Sequence, residues 1–235
     1  MISIIEKNKQ YLSLYLLFFL TLFMYQIVYY QTDALFFFSH HRSAFGDGLF
    51  LGITRLGEEF GFIVVALWFL YKKNRKAVLK IGVTGLVVLV VSQIMKWIFS
   101  HPRPITYMEQ VGVIDKIQLV EGYILRGMNS FPSGHTTAGF ALYSILAIHY
   151  SFKKNWQILF LVMAILVGIS RVYLVAHFPE DVLIGSALGV SIALMVEYYF
   201  STILFKKVPF ETNENTVLAV NDLIKISDDG KENIA

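Results

Sequence analysis

Three short clusters of charged residues and histidines lie at the ends of otherwise apolar segments of the chain. They occupy residues 96–104, 132–135 and 170–181, and their residues include three cations that are charged at neutral pH, the histidines His135 and His177, and Asp181. Ionisable residues are costly at membrane depth and mark functional sites there. This combination of residue types is typical of a centre that binds and transforms an anion, and it predicts phosphate transfer.

The cations are suited to binding the phosphate group. Phosphoryl transfer spreads negative charge over three equatorial oxygens, so catalysis depends mainly on positioning and electrostatic stabilisation. Lys96, Arg103 and Arg171 are predicted to neutralise those oxygens, with bidentate contacts from the arginines. Ser133 and Gly134 are predicted to begin a helix, whose free N–H groups and dipole would complete a phosphate cradle. With this much fixed positive charge, the sequence predicts no metal and no other cofactor.

The two histidines are suited to covalent catalysis and proton transfer. Asp181 follows His177 by four residues and is predicted to hydrogen-bond one nitrogen of its ring, which leaves the other nitrogen free to attack phosphorus. His135 would protonate the leaving alkoxide and later activate water. Pro179 fits the first turn of the following helix and would fix the short connection between His177 and Asp181.

The composition indicates a membrane protein and excludes several other classes. Of the 235 residues, 56% are hydrophobic and only 16% are charged, against about 25% charged in soluble domains. The net charge of +3 is too small to indicate nucleic-acid binding. The chain has no cysteine, so disulfides, thiolate metal sites and a cysteine nucleophile are excluded.

Six apolar segments have about the length that a helix needs to cross a bilayer. The first is too long for a signal-peptide core and is interpreted as a retained span. Short basic loops fall on one side of this arrangement, which the positive-inside rule makes cytoplasmic. The predicted fold is an all-α integral membrane protein with six transmembrane helices in one bundle, both termini cytoplasmic and the active site at the extracytoplasmic side. The predicted spans are 11–31, 53–71, 77–99, 134–152, 156–176 and 180–204.

The remaining segments are predicted to be loops and a tail. Residues 1–207 would form one transmembrane domain, and residues 208–235 a polar, poorly ordered cytoplasmic tail. The loops 32–52, 100–133 and 177–179 would be extracytoplasmic. The mixture of apolar and charged residues in the second of these loops predicts short amphipathic helices along the interface.

The clusters resemble the three-part signature of the type-2 phosphatidic acid phosphatase superfamily: K-x6-R-P, P-S-G-H and S-R-x5-H-x3-D. Every position of the signature is present, in order and with the correct spacing. The resemblance implies a metal-independent phosphatase that acts on lipid phosphates or diphosphates through a phosphohistidine. It implies His177 as the nucleophile and His135 as the acid and base. The matching residues are Lys96, Arg103, Pro104, Pro132, Ser133, Gly134, His135, Ser170, Arg171, His177 and Asp181.

Other features of the sequence carry weaker hypotheses. The pair His40-His41, with Asp33 and Asp47 nearby, suggests a metal site, but adjacent histidines do not easily chelate one ion. Gly185 and Gly189 form a G-x-x-x-G spacing that favours close helix packing within the chain over dimerisation. Glu58 and Glu59 stand at the start of the second predicted span, and the sequence favours neither a role at the site nor simple exposure to headgroup water.

The sequence therefore predicts a lipid phosphatase of the cytoplasmic membrane, a monomer or weak homo-oligomer whose substrate lies in the outer leaflet. Undecaprenyl diphosphate is the first candidate, beside phosphatidic acid, phosphatidylglycerophosphate and a lipid A phosphate. A lipid phosphotransferase with the same site is the first alternative. An anion transporter is the second, and the argument against it is that the inner halves of spans three to six carry no charge.

Overall fold

The computed structural model describes residues 2–123 and 127–204, and these residues fold into helices, turns and connecting segments without a β-strand. Two 3₁₀ turns, at Arg55–Gly57 and Ile114–Lys116, and a final π-helical turn, Phe200–Leu204, accompany ten α-helices. The helices are α1 (Ile2–Lys7), α2 (Lys9–Val28), α3 (Asp33–His40), α4 (Ala44–Thr54), α5 (Glu59–Tyr71), α6 (Arg75–Phe99), α7 (Pro104–Gln110), α8 (Gly134–His149), α9 (Lys154–Tyr173) and α10 (Pro179–Tyr199).

Four of the described helices are long and apolar enough to cross a membrane: α2, α6, α9, and α10 together with the π-helical turn. The predicted all-helical membrane fold is confirmed at this level. Helix α5 has 13 residues and α8 has 16, so each is shorter than a full span. The predicted second span, 53–71, is interrupted because the chain leaves α4 through a 3₁₀ turn and Glu58 takes an extended conformation before α5.

Helix α8 lies at the centre of the bundle, and most of its side chains are buried. It packs closely against α10 because two glycines of α10 lie against its backbone. A Cβ at Gly185 would lie 2.9 Å from the carbonyl oxygen of Ser133, and one at Gly189 would lie 2.5 Å from that of Thr137. The prediction that this glycine pair serves packing within the chain is therefore confirmed.

The predicted loop 32–52 contains α3 and most of α4. Its histidines do not converge with its aspartates. The Nδ1 atoms of His40 and His41 lie 2.7 Å and 2.8 Å from carbonyl oxygens of their own helix, whereas Asp47 pairs with Arg42. Among the described residues, these side chains do not form a cluster that could hold a metal ion. The loop 100–133 contains α7 and a 3₁₀ turn, in agreement with the short helices predicted there.

The prediction that the inner halves of spans three to six carry no charge is wrong. The inner halves of the predicted spans three to six do carry charge, because Lys80 of α6 and Glu197 of α10 form a salt bridge of 2.6 Å. His149, at the end of α8, lines the same small cavity as this pair. Both charges are visible in the sequence within the predicted spans, and only their pairing depends on the fold, because the two residues are 117 positions apart. The predicted tail, 208–235, lies outside the described residues.

Candidate active site

The turn between α9 and α10 joins a cation to a histidine. Val175 has a φ of 56°, in the left-handed region that a β-branched residue rarely adopts. This conformation reverses the chain so that the N–H groups of Ala176 and His177 both donate to the carbonyl oxygen of Arg171, at 3.0 Å and 3.2 Å. Arg171 and His177 are therefore held in one tight hydrogen-bonded turn.

Asp181 caps the following helix and also contacts the histidine. Pro179 occupies the first turn of α10, as predicted, and Asp181 accepts a hydrogen bond from the backbone N–H of Phe178 at 2.9 Å. The same carboxylate oxygen lies 3.2 Å from Nδ1 of His177. Because an ionised carboxylate can only accept, this contact places a proton on Nδ1 and leaves the lone pair on Nε2. The predicted contact between Asp181 and His177 is present.

Ser130 completes the surroundings of Asp181. Its hydroxyl donates to the same carboxylate oxygen at 2.5 Å and lies 3.4 Å from Nδ1 of His177. Ser130 and Asp181 are completely buried, and His177 is 1% exposed. In this enclosed setting the carboxylate has few alternative partners, so the orientation of the histidine ring is well defined.

Arg103 joins the loop after α6 to the turn before α10. Its backbone N–H donates to the carbonyl oxygen of Gly127, and its Nε donates to that of Met128 at 3.0 Å. A further guanidinium nitrogen lies 3.5 Å from the carbonyl oxygen of Ala176. These bonds bring the second cation of the predicted set beside His177.

Arg171 is almost completely buried, with an exposure of 2%. Its two terminal nitrogens donate to the hydroxyls of Thr54 and Tyr123. Its Nε makes no hydrogen bond within the described part of the chain. A buried guanidinium is costly unless it is compensated, so this nitrogen is a donor suited to an anion.

The start of α8 carries the predicted cluster 132–135. Ser133 is the N-cap, and its hydroxyl oxygen accepts hydrogen bonds from the backbone N–H and the hydroxyl of Thr136. Its own N–H donates to the carbonyl oxygen of Asp181 at 3.1 Å, so it is committed to the fold and not to the predicted phosphate cradle. Gly134 does lie against the third cation, because a Cβ there would be 3.3 Å from the Nζ of Lys96.

His135 follows on the first turn of α8 and contacts a carboxylate. Its Nε2 lies 3.0 Å from Oε1 of Glu58, whereas Glu59 is exposed. About a third of the side chains of His135 and of Glu58 is accessible, 33% and 37% respectively. The sequence left the role of both glutamates open. In the structure Glu58 contacts the predicted site and Glu59 is exposed.

The cations act electrostatically on His177. Burial, and then the positive charges of Arg171, Arg103 and Lys96, lower the pKa of this histidine well below its ordinary value of 6.5. A neutral imidazole is the form that can act as a nucleophile, and this environment favours the neutral form of His177.

The structure therefore brings together the residues that the sequence predicted, although three contacts were not foreseen. Ser130, Thr54 and Tyr123 support Asp181 and Arg171 from segments without a recognisable spacing. The position of Ser130, three residues before the predicted N-cap, was the one available signal. An oriented histidine beside buried cations forms a site suited to binding an anion such as a phosphate group.

Comparison with known proteins agrees with this geometry. Residues 77–204 match the PAP2 superfamily. The chain is 31% identical over 169 residues to the undecaprenyl-diphosphatase BcrC of Bacillus subtilis, covering 71% of this chain and 80% of the relative. It is 26% identical over 209 residues to an undecaprenyl-diphosphatase of Sulfolobus acidocaldarius, covering 86% and 97% of the two chains.

A solved structure shares the fold. The transmembrane PAP2-type phosphatidylglycerolphosphate phosphatase of Bacillus subtilis superposes with a TM-score of 0.60 at 23% identity, covering 84% of this chain and 97% of that one. Fold and site together define a helical membrane phosphatase. The chain belongs to the PAP2 superfamily.

Proposed function

We propose that this protein is a metal-independent lipid phosphatase that hydrolyses a lipid phosphate or diphosphate through a phosphohistidine on His177. The observation that carries the proposal is the contact between Nδ1 of His177 and Asp181, formed where the charges of three cations converge. A histidine held in this way presents Nε2 as a nucleophile in an environment that favours an anionic substrate.

The first step forms the covalent intermediate. Nε2 of His177 attacks phosphorus, the bond between phosphorus and the lipid-side oxygen breaks, and His135 gives its proton to that leaving oxygen. Asp181 stabilises the positive charge that develops on the imidazole ring. Arg171, Arg103 and Lys96 stabilise the phosphoryl oxygens, and the unbonded Nε of Arg171 is one donor for them.

The second step releases phosphate. His135, now without its proton, removes a proton from a water molecule, and the water oxygen attacks phosphorus. The bond between phosphorus and Nε2 breaks, which restores neutral His177 and frees inorganic phosphate. The same group therefore acts as acid in the first step and as base in the second. A lipid alcohol in place of water would turn the reaction into phosphotransfer.

The substrate that we favour is undecaprenyl diphosphate. Two relatives are named undecaprenyl-diphosphatases, and one of them aligns over most of both chains. A site at the ends of apolar helices suits a phosphate in the headgroup layer whose hydrocarbon chain stays in the lipid. Phosphatidic acid, phosphatidylglycerophosphate and a lipid A phosphate remain the competing substrates. The solved structure that shares the fold is named as a phosphatidylglycerolphosphate phosphatase.

We further propose that the site faces the extracytoplasmic leaflet of the cytoplasmic membrane, with six helices crossing it. The support is the distribution of charge along the helices. The turns that precede α6 and α9 carry the basic clusters 72–76 and 153–154, whereas the predicted site residues lie at the other ends of α6, α8 and α9. Basic turns are enriched on the cytoplasmic side.

The deciding experiment measures phosphate release by purified protein in detergent, with EDTA present, from the four candidate lipids. His177→Ala protein serves as the blank, and His149→Ala, a histidine at the far end of α8, as the matched control. We expect release by wild-type and His149→Ala protein, none from the blank, and the highest kcat/KM for the undecaprenyl lipid. A strict metal requirement, or activity that survives loss of His177, would contradict the mechanism. A different order of lipids would change the substrate alone.

A further inference from the structure

Glu58 contacts the acid–base histidine from a segment that the family match does not reach. The match covers residues 77–204, whereas Glu58 lies between α4 and α5. Its Oε1 is 3.0 Å from Nε2 of His135. This is the same relation that Asp181 has to His177, with the two ring nitrogens exchanged.

The backbone around Glu58 is fixed against the helix that carries His135. Gly57 is buried, and a Cβ there would lie 2.7 Å from the carbonyl oxygen of His135 and would also clash with the side chain of Val167. The N–H of Glu58 donates to the carbonyl oxygen of Arg55 at 3.2 Å, and its carbonyl oxygen accepts from the N–H of Gly61 at 3.1 Å. Glu58 is therefore positioned by a close approach that glycine permits.

A carboxylate in this position governs the proton on His135. It accepts the Nε2–H, which orients the ring and leaves Nδ1 as the nitrogen that exchanges a proton with the substrate. Its negative charge also compensates the positive charge on a protonated His135, which lies within reach of the cations Arg171, Lys96 and Arg103. Without such compensation, a protonated acid beside three cations would be strongly disfavoured.

We propose that Glu58 is the positioning residue for His135, which it holds in the orientation and protonation state needed to protonate the leaving oxygen. This inference rests on the proposed function and deepens it, because it assigns a partner to the proposed acid. It predicts a division of labour between two pairs, with Asp181 serving the nucleophile His177 and Glu58 serving the acid His135.

The test compares two leaving groups in the Glu58→Gln variant. A lipid phosphate leaves as an alkoxide and requires a proton, whereas 4-nitrophenyl phosphate leaves as a stable phenolate and does not. We expect Glu58→Gln to lower the rate constant of the first step, measured as single-turnover release of the leaving group, about 10–100-fold for the lipid phosphate, with little change in the substrate concentration that gives half the maximal rate. The loss for 4-nitrophenyl phosphate should be several-fold smaller. Glu59→Gln, an exposed neighbour with the same change of charge, is the matched control and should behave like wild-type protein.

A double-mutant cycle with His135→Ala separates positioning from other roles. In the His135→Ala background, Glu58→Gln should cause no further loss on either substrate, because the group through which it acts is gone. Equal losses on both substrates, full additivity with His135→Ala, or no loss at all would overturn the proposal. Unfolding temperatures of all variants exclude a folding defect as the cause of lost activity.

The same experiment distinguishes failure of this inference from failure of the proposed function. His177→Ala protein is assayed beside the others with both substrates. Activity that persists in this variant overturns the phosphohistidine mechanism and the role of Glu58 with it. Wild-type activity that depends on His177 but does not respond to Glu58→Gln overturns the role of Glu58 alone.

Discussion

The two ends of the helical bundle differ in which groups their charged residues contact. At the end formed by Lys80, His149 and Glu197, which we call the distal end, one cation meets one anion in a salt bridge of 2.6 Å. At the end that carries Lys96, Arg103 and Arg171, which we call the site end, three cations converge on a histidine. Two carboxylates there contact histidines, Asp181 with His177 and Glu58 with His135, whereas Asp47 pairs with Arg42 beside the end of α9.

This difference indicates a structural role for the charges at the distal end and a functional role for those at the site end. A paired charge at the distal end cancels locally and ties α6 to α10. At the site end, two carboxylates contact histidines, and the charges of three cations act on one of those histidines. Ionisable residues in a membrane helix are therefore a weaker indication of catalysis than several cations that act on one histidine.

The largest expected difference is between two alanine substitutions, one of a histidine at each end of the bundle. His177→Ala should lower kcat by about 10⁴-fold or more, because the nucleophile is removed. His149→Ala should leave kcat within a few-fold of wild type, since its ring packs on Phe69 and Tyr150 at the distal end. Single-turnover assays with radiolabelled lipid phosphate measure both variants, and a phosphoenzyme in the His177→Ala protein would contradict the assignment.

A smaller effect is expected from the groups that orient the nucleophile. Asp181→Asn should lower kcat about 10²–10⁴-fold and change KM little, because the amide can present a donor to Nδ1 and select the wrong tautomer. Ser130→Ala should cost about 10-fold, since it removes one hydrogen bond to the same carboxylate. Steady-state kinetics of the two variants would contradict the scheme if Ser130→Ala proved the more harmful.

The distal salt bridge should affect stability and not catalysis. Lys80→Met leaves Glu197 partly buried without its partner and should lower the free energy of unfolding by about 1–3 kcal/mol. The specific activity of the folded protein should stay unchanged. Lys80→Met combined with Glu197→Leu should recover part of the loss. Denaturant titration in detergent, with activity measured on the same samples, checks this, and loss of kcat without loss of stability would give the distal end a catalytic role.

The smallest effect concerns pH. Because the pKa of His177 in the folded protein is lowered, the unfolded chain takes up a proton near pH 6.5 when the folded one does not. The contribution of this residue to stability is therefore full above pH 6.5 and is lost as pH falls, by about 1.4 kcal/mol per pH unit. Unfolding measured between pH 7 and pH 5 should show a shallower dependence in His177→Gln protein, and identical slopes would contradict the burial of a neutral ring.

The sequence predicted the residues of the candidate site better than it predicted the residues that hydrogen-bond to them, and the reason is physical. The spacing from Ser170 to Asp181 is set by local geometry, namely a helix end, a short turn and a first helical turn, so it can be recognised in one segment. The contacts of Thr54, Tyr123 and Ser130 depend on how distant segments pack, and no local spacing records them. The interruption before Glu58 did leave a local signal, because Arg55, Glu58 and Glu59 crowd the start of the predicted second span.

The turn in which Arg171 accepts two backbone hydrogen bonds also limits how the protein can move. Since the carbonyl oxygen of Arg171 ties down the N–H groups of Ala176 and His177, this cation and the nucleophile travel as one body. On the proposed mechanism, a helix movement that admits a lipid phosphate would carry the backbones of Arg171 and His177 together and leave the separation between them unchanged.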